Sequence, residues 1–348
     1  MRVGIVNDMS LAREALRRLV LSAPGREVAW LAADGAEAVA SARRDPVDLI
    51  LMDLLMPGVD GVEATRRIMA ESPCPILIVT ATVVGNVGKV YEAMGLGALD
   101  AVDTPTLGPK GELRGGEPLL AKIATVAKLT GKSPPRSDSA LAIPRRPARL
   151  GPGTPLVAIG ASTGGPNALA EVLSAFPKGW DAATVLIQHV DAAFAPGLAR
   201  WLHEKTGQPV EVAEAGARPE PGRVLLAGTN DHLALDPSAR LVYTDEPREL
   251  SFRPSVDVFF RSAAEHWPAK GVGVVLTGMG RDGASGLLRL RGAGWPTIAQ
   301  DESTSVVWGM PRAAAEVGGA AEVLPVSRIG AAVTGHVLNR ARNDEVSE

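Results

Sequence analysis

Residues 49–68 read LILMDLLMPGVDGVEATRRI. Leu49 to Met52 form an apolar run of strand length, and an acid, Asp53, stands where it ends. A run without polar alternation belongs to a strand covered on both faces, the habit of parallel sheets flanked by helices. Outward from this stretch the element recurs at Val3 to Val6, Val28 to Ala32, Ile76 to Val79 and Ala98 to Val102. Helix-like segments lie between, such as Leu11 to Val20, where Leu16, Leu19 and Val20 share one face. Five β-then-α units predict a parallel sheet with helices on both sides.

From about Lys128 the pattern stops. KLTGKSPPRSDSALAIPRRPARLGPGTP is dense in Pro, Ser, Gly and Arg and carries no apolar period, so residues 128–153 read as a linker. Alternation restarts with LVAIG (156–160) and continues through TVLIQ (184–188), VGVVLTG (272–278) and TIAQ (297–300). Helical patterns at Pro196 to Thr206, Asp257 to Trp267 and Asp282 to Ala293 separate them. The expected organisation is a (βα)5 domain over 1–127 and a second, doubly wound, mostly parallel α/β domain over 154–345.

The bulk numbers agree with two soluble domains. The chain has 348 residues, 46% hydrophobic and 22% charged, with a net charge of −3. That charge argues against broad electrostatic binding to nucleic acid or anionic lipid. A single cysteine, Cys74, excludes an internal disulfide framework and fits a reducing compartment. The N-terminus MRVGIVND meets an acid at Asp8 and lacks the apolar region of a signal peptide, and no stretch approaches the roughly 20 apolar residues that span a bilayer. A cytoplasmic protein with no membrane insertion is expected.

In open α/β sheets functional groups gather at the carboxyl ends of strands. In the first domain those ends carry Asn7-Asp8, Asp53 and Thr80. With strands 1 and 3 adjacent, Asp8 and Asp53 make a repelling carboxylate pair suited to Mg2+. The metal would neutralise phosphate oxygens while Asp53 attacks phosphorus, and the Thr80 hydroxyl would hold the new phosphoryl group. A lone acid at a strand end often only caps the next turn. The whole of 49–68, however, resembles the acceptor strand and loop of response-regulator receivers, with Asp53 as acceptor, Pro57-Gly58 the turn and Asp60-Gly61 the helix start. Three positions depart from that family. Asn7 replaces the first of two acids, Ala101 stands at a common aromatic switch position, and Thr104 in GALDAVDTP replaces a lysine. Threonine cannot supply the lysine's charge, and Asp103 would add repulsion if it faced the site. Either Asp53 is phosphorylated with altered kinetics, or the domain is a partner-binding switch. The retained Asp8–Asp53 pair favours the first.

In the second domain LVAIG runs into AlaSerThrGlyGlyPro, and residues 160–164 match G-x-S-x-G, a sharp strand-to-helix turn that exposes the Ser162 hydroxyl. Backbone N–H groups of the following helix would face a developing oxyanion. Absence of a Walker lysine argues against a nucleotide P-loop. A serine nucleophile needs a base and an orienting acid. His189 follows VLIQ at a strand end, with His232 in GTNDH its rival, while His203, His266 and His336 lie in helical patterns. Asp282 in LTGMGRDGASG is the candidate acid, or else a simple cap of the next helix. The order Ser, His, Asp differs from the Ser, Asp, His order of common α/β-hydrolases.

The segments IGASTGGP, QH, RPSVDV, GVVLTGMGRDG and VVWGMPRAA resemble the catalytic domain of the chemotaxis protein-glutamate methylesterases, the CheB family. Receiver, linker and hydrolase follow in the family's order. The resemblance implies Ser162 as nucleophile, His189 as base, Asp282 as acid, and the backbone N–H groups of Met279 and Thr163 as oxyanion donors. It implies Mg2+ in the receiver and no cofactor in the catalytic domain. The implied substrate is a methylated glutamate, or a glutamine, on the cytoplasmic domain of a methyl-accepting chemoreceptor. A CheA-type histidine kinase is the implied phosphodonor. In the family the receiver packs over the hydrolase site until phosphorylated. The VND and VDTP departures are similar to the Wsp-type subgroup, associated with surface sensing and cyclic-di-GMP control. Rival readings are a non-enzymatic adaptor or a peptidase with the same triad. A DNA-binding regulator is poorly supported, because no helix-turn-helix stands out.

Overall fold

Residues 1–81, 87–108, 112–130, 153–250 and 252–345 are described by the computed structural model. They divide into two units, Met1–Leu141 and Ala142–Glu348. The first unit alternates β1 (Arg2–Val6), α1 (Ser10–Leu21), β2 (Glu27–Ala32), α2 (Gly35–Arg44), β3 (Leu49–Met52), α3 (Gly61–Glu71), β4 (Ile76–Thr80), α4 (Val87–Gly95) and β5 (Asp100–Asp103). A short antiparallel hairpin, β6 (Thr106–Leu107) and β7 (Leu113–Arg114), leads into α5 (Glu117–Thr130). The five main strands are parallel in the order β2-β1-β3-β4-β5. All four residues of β3 are fully buried, as expected of a central strand covered twice. The predicted start of α3 holds: Asp60 is its N-cap and accepts from Glu63 N at 3.0 Å.

Strand β5 begins two residues later than the predicted Ala98. Gly97 N and Ala98 N close the end of α4 by donating to Met94 O and Ala93 O, and Gly97 adopts φ +114°. Those residues therefore belong to a helix C-terminus. The predicted linker falls mainly on residues 131–152, outside the described residues, and its first three residues finish α5.

The second unit contains β8 (Leu156–Ala161), α6 (Gly165–Ser174), β9 (Ala183–Gln188), α7 (Ala195–Thr206), β10 (Val210–Val212), β11 (Val224–Leu226), β12 (His232–Leu235) and β13 (Leu241–Thr244). It continues with α8 (Val256–His266), β14 (Val272–Val275), α9 (Ala284–Gly292), β15 (Thr297–Gln300), α10 (Met310–Glu316), β16 (Glu322–Leu324) and α11 (Val326–Glu345). Seven parallel strands run β10-β11-β9-β8-β14-β15-β16, and β12–β13 form a separate antiparallel pair. From β8 the chain builds one side of the sheet with β9, then the edge strand β10, then β11 between those two, and returns to the other side at β14. The β8/β14 boundary is thus a topological switch point, where open α/β sheets form clefts. The predicted strand 272–278 ends at Val275, and Leu276 to Gly278 turn into the loop at that edge.

Candidate active site

Ser162 directly follows β8, and His189 directly follows β9. These strands pair in parallel with Ala161 opposite Gln188, and His189 N donates to Ala161 O at 3.0 Å. The two predicted residues therefore stand at adjacent strand ends. Ser162 N donates to Thr277 O at 3.0 Å, which ties the turn to the loop after β14. The Gln188 amide donates to Ser162 O at 2.9 Å and to His189 O at 3.3 Å, fixing both backbones. Gly164, with φ +77°, is the N-cap of α6 and makes the sharp exit from the turn that a side chain would strain.

Asp282 also lies at this edge. His189 Nε2 is 2.8 Å from Asp282 Oδ2, with side chains only 8% and 10% exposed, so little solvent screens the pair. His189 Nδ1 is buried and has no hydrogen-bond partner. Ser162 Oγ is not hydrogen-bonded to the ring. Nucleophile–base contacts are often loose before substrate arrives. The Phe252 ring lies flat on the imidazole, with centroids 4.5 Å apart and planes 1° from parallel.

The carboxylate does not cap α9, whose N-cap is Gly283. It sits instead at the N-terminus of α8. It accepts from Ser255 Oγ at 2.7 Å, Val256 N at 2.7 Å and Asp257 N at 3.0 Å, besides His189. Burial pushes the Asp282 pKa up. Hydrogen bonds and charge from His189, then Ser255 and the Asp257 N–H, outweigh it and leave the carboxyl below its ordinary value. The helix end reaches β8 because residue 160 is glycine: a Cβ there would come within 2.2 Å of Val256 Cγ1.

His232, the rival base, is fully buried elsewhere. Its Nδ1 accepts from Ser255 N at 3.1 Å and its Nε2 faces Pro247 O at 3.2 Å. His203 Nδ1 bonds Gln208 O, and His336 Nε2 pairs with Glu322. Among the described residues neither Thr163 N nor Met279 N donates a backbone hydrogen bond. Sequence reasoning missed Ser255, Gln188 and Phe252. Ser255 lies within RPSVDV, Phe252 immediately precedes that segment, and Gln188 belongs to QH, but nothing in the residue types marks them.

In the first unit Asp53 is 7% exposed and lies between strand ends. Leu54 N and Leu55 N donate to Oδ1 at 2.7 and 3.4 Å, and Asn7 Nδ2 donates to Oδ2 at 2.8 Å. Burial raises Asp53 most, the Leu55 and Leu54 N–H groups lower it, Asp8 raises it and the Thr80 hydroxyl lowers it, for a pKa of about 6. Asp103, the last residue of β5, is exposed. Thr104 N donates to Thr80 O at 2.9 Å, while Thr104 Oγ1 is buried without a partner where the receiver family places an ammonium group. Among the described residues no cluster of three or more His, Cys, Asp or Glu forms. A cation here would rest on Asp8 and Asp53 alone among side chains, and the repulsion between them fits a hard divalent ion.

The CheB methylesterase family matches residues 157–333, and the response regulator receiver domain matches residues 3–108. A protein-glutamate methylesterase/protein-glutamine glutaminase of Mesorhizobium japonicum is 54% identical over 337 residues, covering 96% of this chain and 98% of the relative. A Pseudomonas aeruginosa protein-glutamate methylesterase/protein-glutamine glutaminase 3 is 52% identical over 329 residues, with 94% and 97% covered. The crystal structure of the Thermotoga maritima CheB methylesterase catalytic domain superposes with a TM-score of 0.50 at 34% identity, covering 53% of this chain and 98% of that one. No helix among the described residues is long and apolar enough to cross a membrane.

Proposed function

This chain belongs to the CheB methylesterase family, with a receiver domain preceding the catalytic one, and on that premise we propose that it is a receiver-controlled serine hydrolase that demethylates glutamate methyl esters and deamidates glutamines on chemoreceptors. The observation that carries this reading is the buried His189–Asp282 pair, with Nδ1 left over, at the strand end beside Ser162.

In the first step His189 Nδ1 takes the Ser162 proton as Oγ bonds to the γ-carbonyl carbon of the side chain. Thr163 N–H and Met279 N–H face the oxygen as it becomes negative; losing one such donor costs about 10² to 10³ in turnover. The imidazolium, stabilised by Asp282, returns the proton to the departing oxygen, and methanol leaves. Water then loses a proton to His189 and attacks the glutamyl ester, freeing glutamate and Ser162. With glutamine the leaving group is ammonia. Asp282 holds the ring in place throughout and balances its charge.

In the receiver, Asp53 is the phosphoryl acceptor, with Asp8 and Asp53 the residues that would hold Mg2+. When bound, the metal neutralises charge on the phosphoryl oxygens. Thr80 stands ready to hydrogen-bond the phosphoryl group, and Asn7 steadies the carboxylate beforehand. A CheA-type histidine kinase is the donor, the cytoplasm is the compartment, and phosphorylation relieves inhibition of the hydrolase. The Asn7 and Thr104 departures support a place in the Wsp-type subgroup. Methanol release from methylated receptors, measured with and without a small-molecule phosphodonor, tests the whole scheme. Release that persists in Ser162→Ala ends the serine-hydrolase reading.

A further inference from the structure

Asp282 accepts two hydrogen bonds on each oxygen. Oδ1 takes Ser255 Oγ and Asp257 N, and Oδ2 takes Val256 N and His189 Nε2. A carboxylate has about four acceptor positions, so this one is saturated and cannot rotate. Three of its donors come from one short segment, residues 255–257. What fixes that segment also fixes the acid.

The fixing group is His232, the first residue of β12 and fully buried. Ser255 N–H points at its Nδ1 from 3.1 Å, so Nδ1 must be unprotonated and the proton sits on Nε2. From there it is donated to Pro247 O at 3.2 Å. The imidazole is thereby a neutral strut between β12 and the N-cap of α8. Without it the buried Ser255 N–H would lack an acceptor. Ser255, 1% exposed, in turn has its hydroxyl proton committed to Asp282, while its oxygen accepts from Val258 N.

We propose that Ser255 and His232 are positioning residues for ester hydrolysis: His232 locks the Ser255 backbone, and the Ser255 hydroxyl locks the carboxylate that orients His189. Neither touches substrate. The inference rests on the hydrolase reading above, and its test separates the two.

The experiment measures kcat/KM for methanol release against pH, using the full chain and methylated receptor. The variants are Ser162→Ala, Ser255→Ala, Ser255→Thr, His232→Ala and His232→Asn. The groups facing Asp282 are His189, the Ser255 hydroxyl, the Val256 and Asp257 N–H groups, and the Asp257 carboxylate. Removing the hydroxyl leaves more of the carboxylate charge for the imidazolium. Ser255→Ala is therefore expected to lower kcat/KM about tenfold and to move the acid limb up by about half a pH unit. Threonine, which keeps the hydroxyl, restores the limb. His232→Ala shifts the limb in the same direction, and asparagine, whose carbonyl can accept from Ser255 N, brings it back. A lower plateau with an unmoved limb in Ser255→Ala, or no change at all, overturns the proposal. Should the alanine variant fail to fold, Ser255→Gly repeats the measurement with a residue tolerated at N-caps. Activity surviving in Ser162→Ala would instead strike the hydrolase reading itself.

Discussion

Two buried aspartates sit at the carboxyl edges of two parallel sheets, and their surroundings push them in opposite directions. Asp282 receives a helix N-terminus, a hydroxyl and an imidazole, and its pKa falls. Burial, with a smaller push from the Asp8 carboxylate, outweighs the Leu55 and Leu54 N–H groups and the Thr80 hydroxyl at Asp53, and its pKa rises to about 6. The chain has completed the first environment by itself. The second is less fully compensated, which suits the proposed role of Asp53 as acceptor of a phosphoryl group beside a metal. A preorganised site and a site that waits for its ligands differ in who supplies the compensating charge.

The sharpest way to break this contrast is at the completed site. Ser162→Ala should reduce methanol release by roughly 10⁴-fold or more. Asp282→Asn should cost about 10³ to 10⁴ in kcat, because it removes the charge that balances the imidazolium. A loss under tenfold would mean that the surrounding N–H groups, not the carboxylate, do the orienting.

At the waiting site the effect is on stability and on phosphorylation. Below about pH 4 Asp53 is protonated whether the chain is folded or not. Between about 4 and 6 only the unfolded form gives up the proton, so stability falls as pH rises through this window and stays lowered above it. Asp53→Asn removes that penalty. It should abolish acid-labile phosphate and raise the melting temperature of the first unit by several degrees at pH 7. The advantage should fade to nothing near pH 4. An unchanged or lower melting temperature at pH 7 would show Asp53 to be stabilised after all. The smallest effect expected is that of Thr104→Lys. An ammonium beside Asp53 should move the pH dependence of phosphorylation by a small-molecule donor to lower pH and change its rate severalfold.

Much of this was legible in sequence because a parallel sheet puts the end of every strand on one edge. Asp53, Thr80, Ser162 and His189 each stand at the end of a recognisable apolar run or directly after one, and Asp8 one residue further on, so knowing the strands located the groups. What escaped were pairings decided by tertiary approach. Asp282 was legible as the candidate acid, but its alternative as a cap of α9 looked only to the nearest helix in sequence, whereas the carboxylate meets the start of α8 through a contact that Gly160 permits. Ser255 and His232 are 27 and 50 positions from Asp282 by sequence number and carry no pattern. Asn7 was read as a replacement for the first of two acids, and its amide is also a donor to the Asp53 carboxylate. Strands β10, β11 and β16, three residues each, were too short to register as apolar runs.

The His189 ring has a chemical handedness. In chymotrypsin-type proteases the nitrogen distal to the main chain faces the serine and the proximal one faces the acid. Here the distal nitrogen is spent on Asp282, and the proximal one is free. An alkylating inhibitor delivered to Ser162, a chloromethyl ketone for instance, should leave its carbon on the proximal nitrogen. The isomer of alkylhistidine recovered after digestion would reveal on which side of the ring the proton travels.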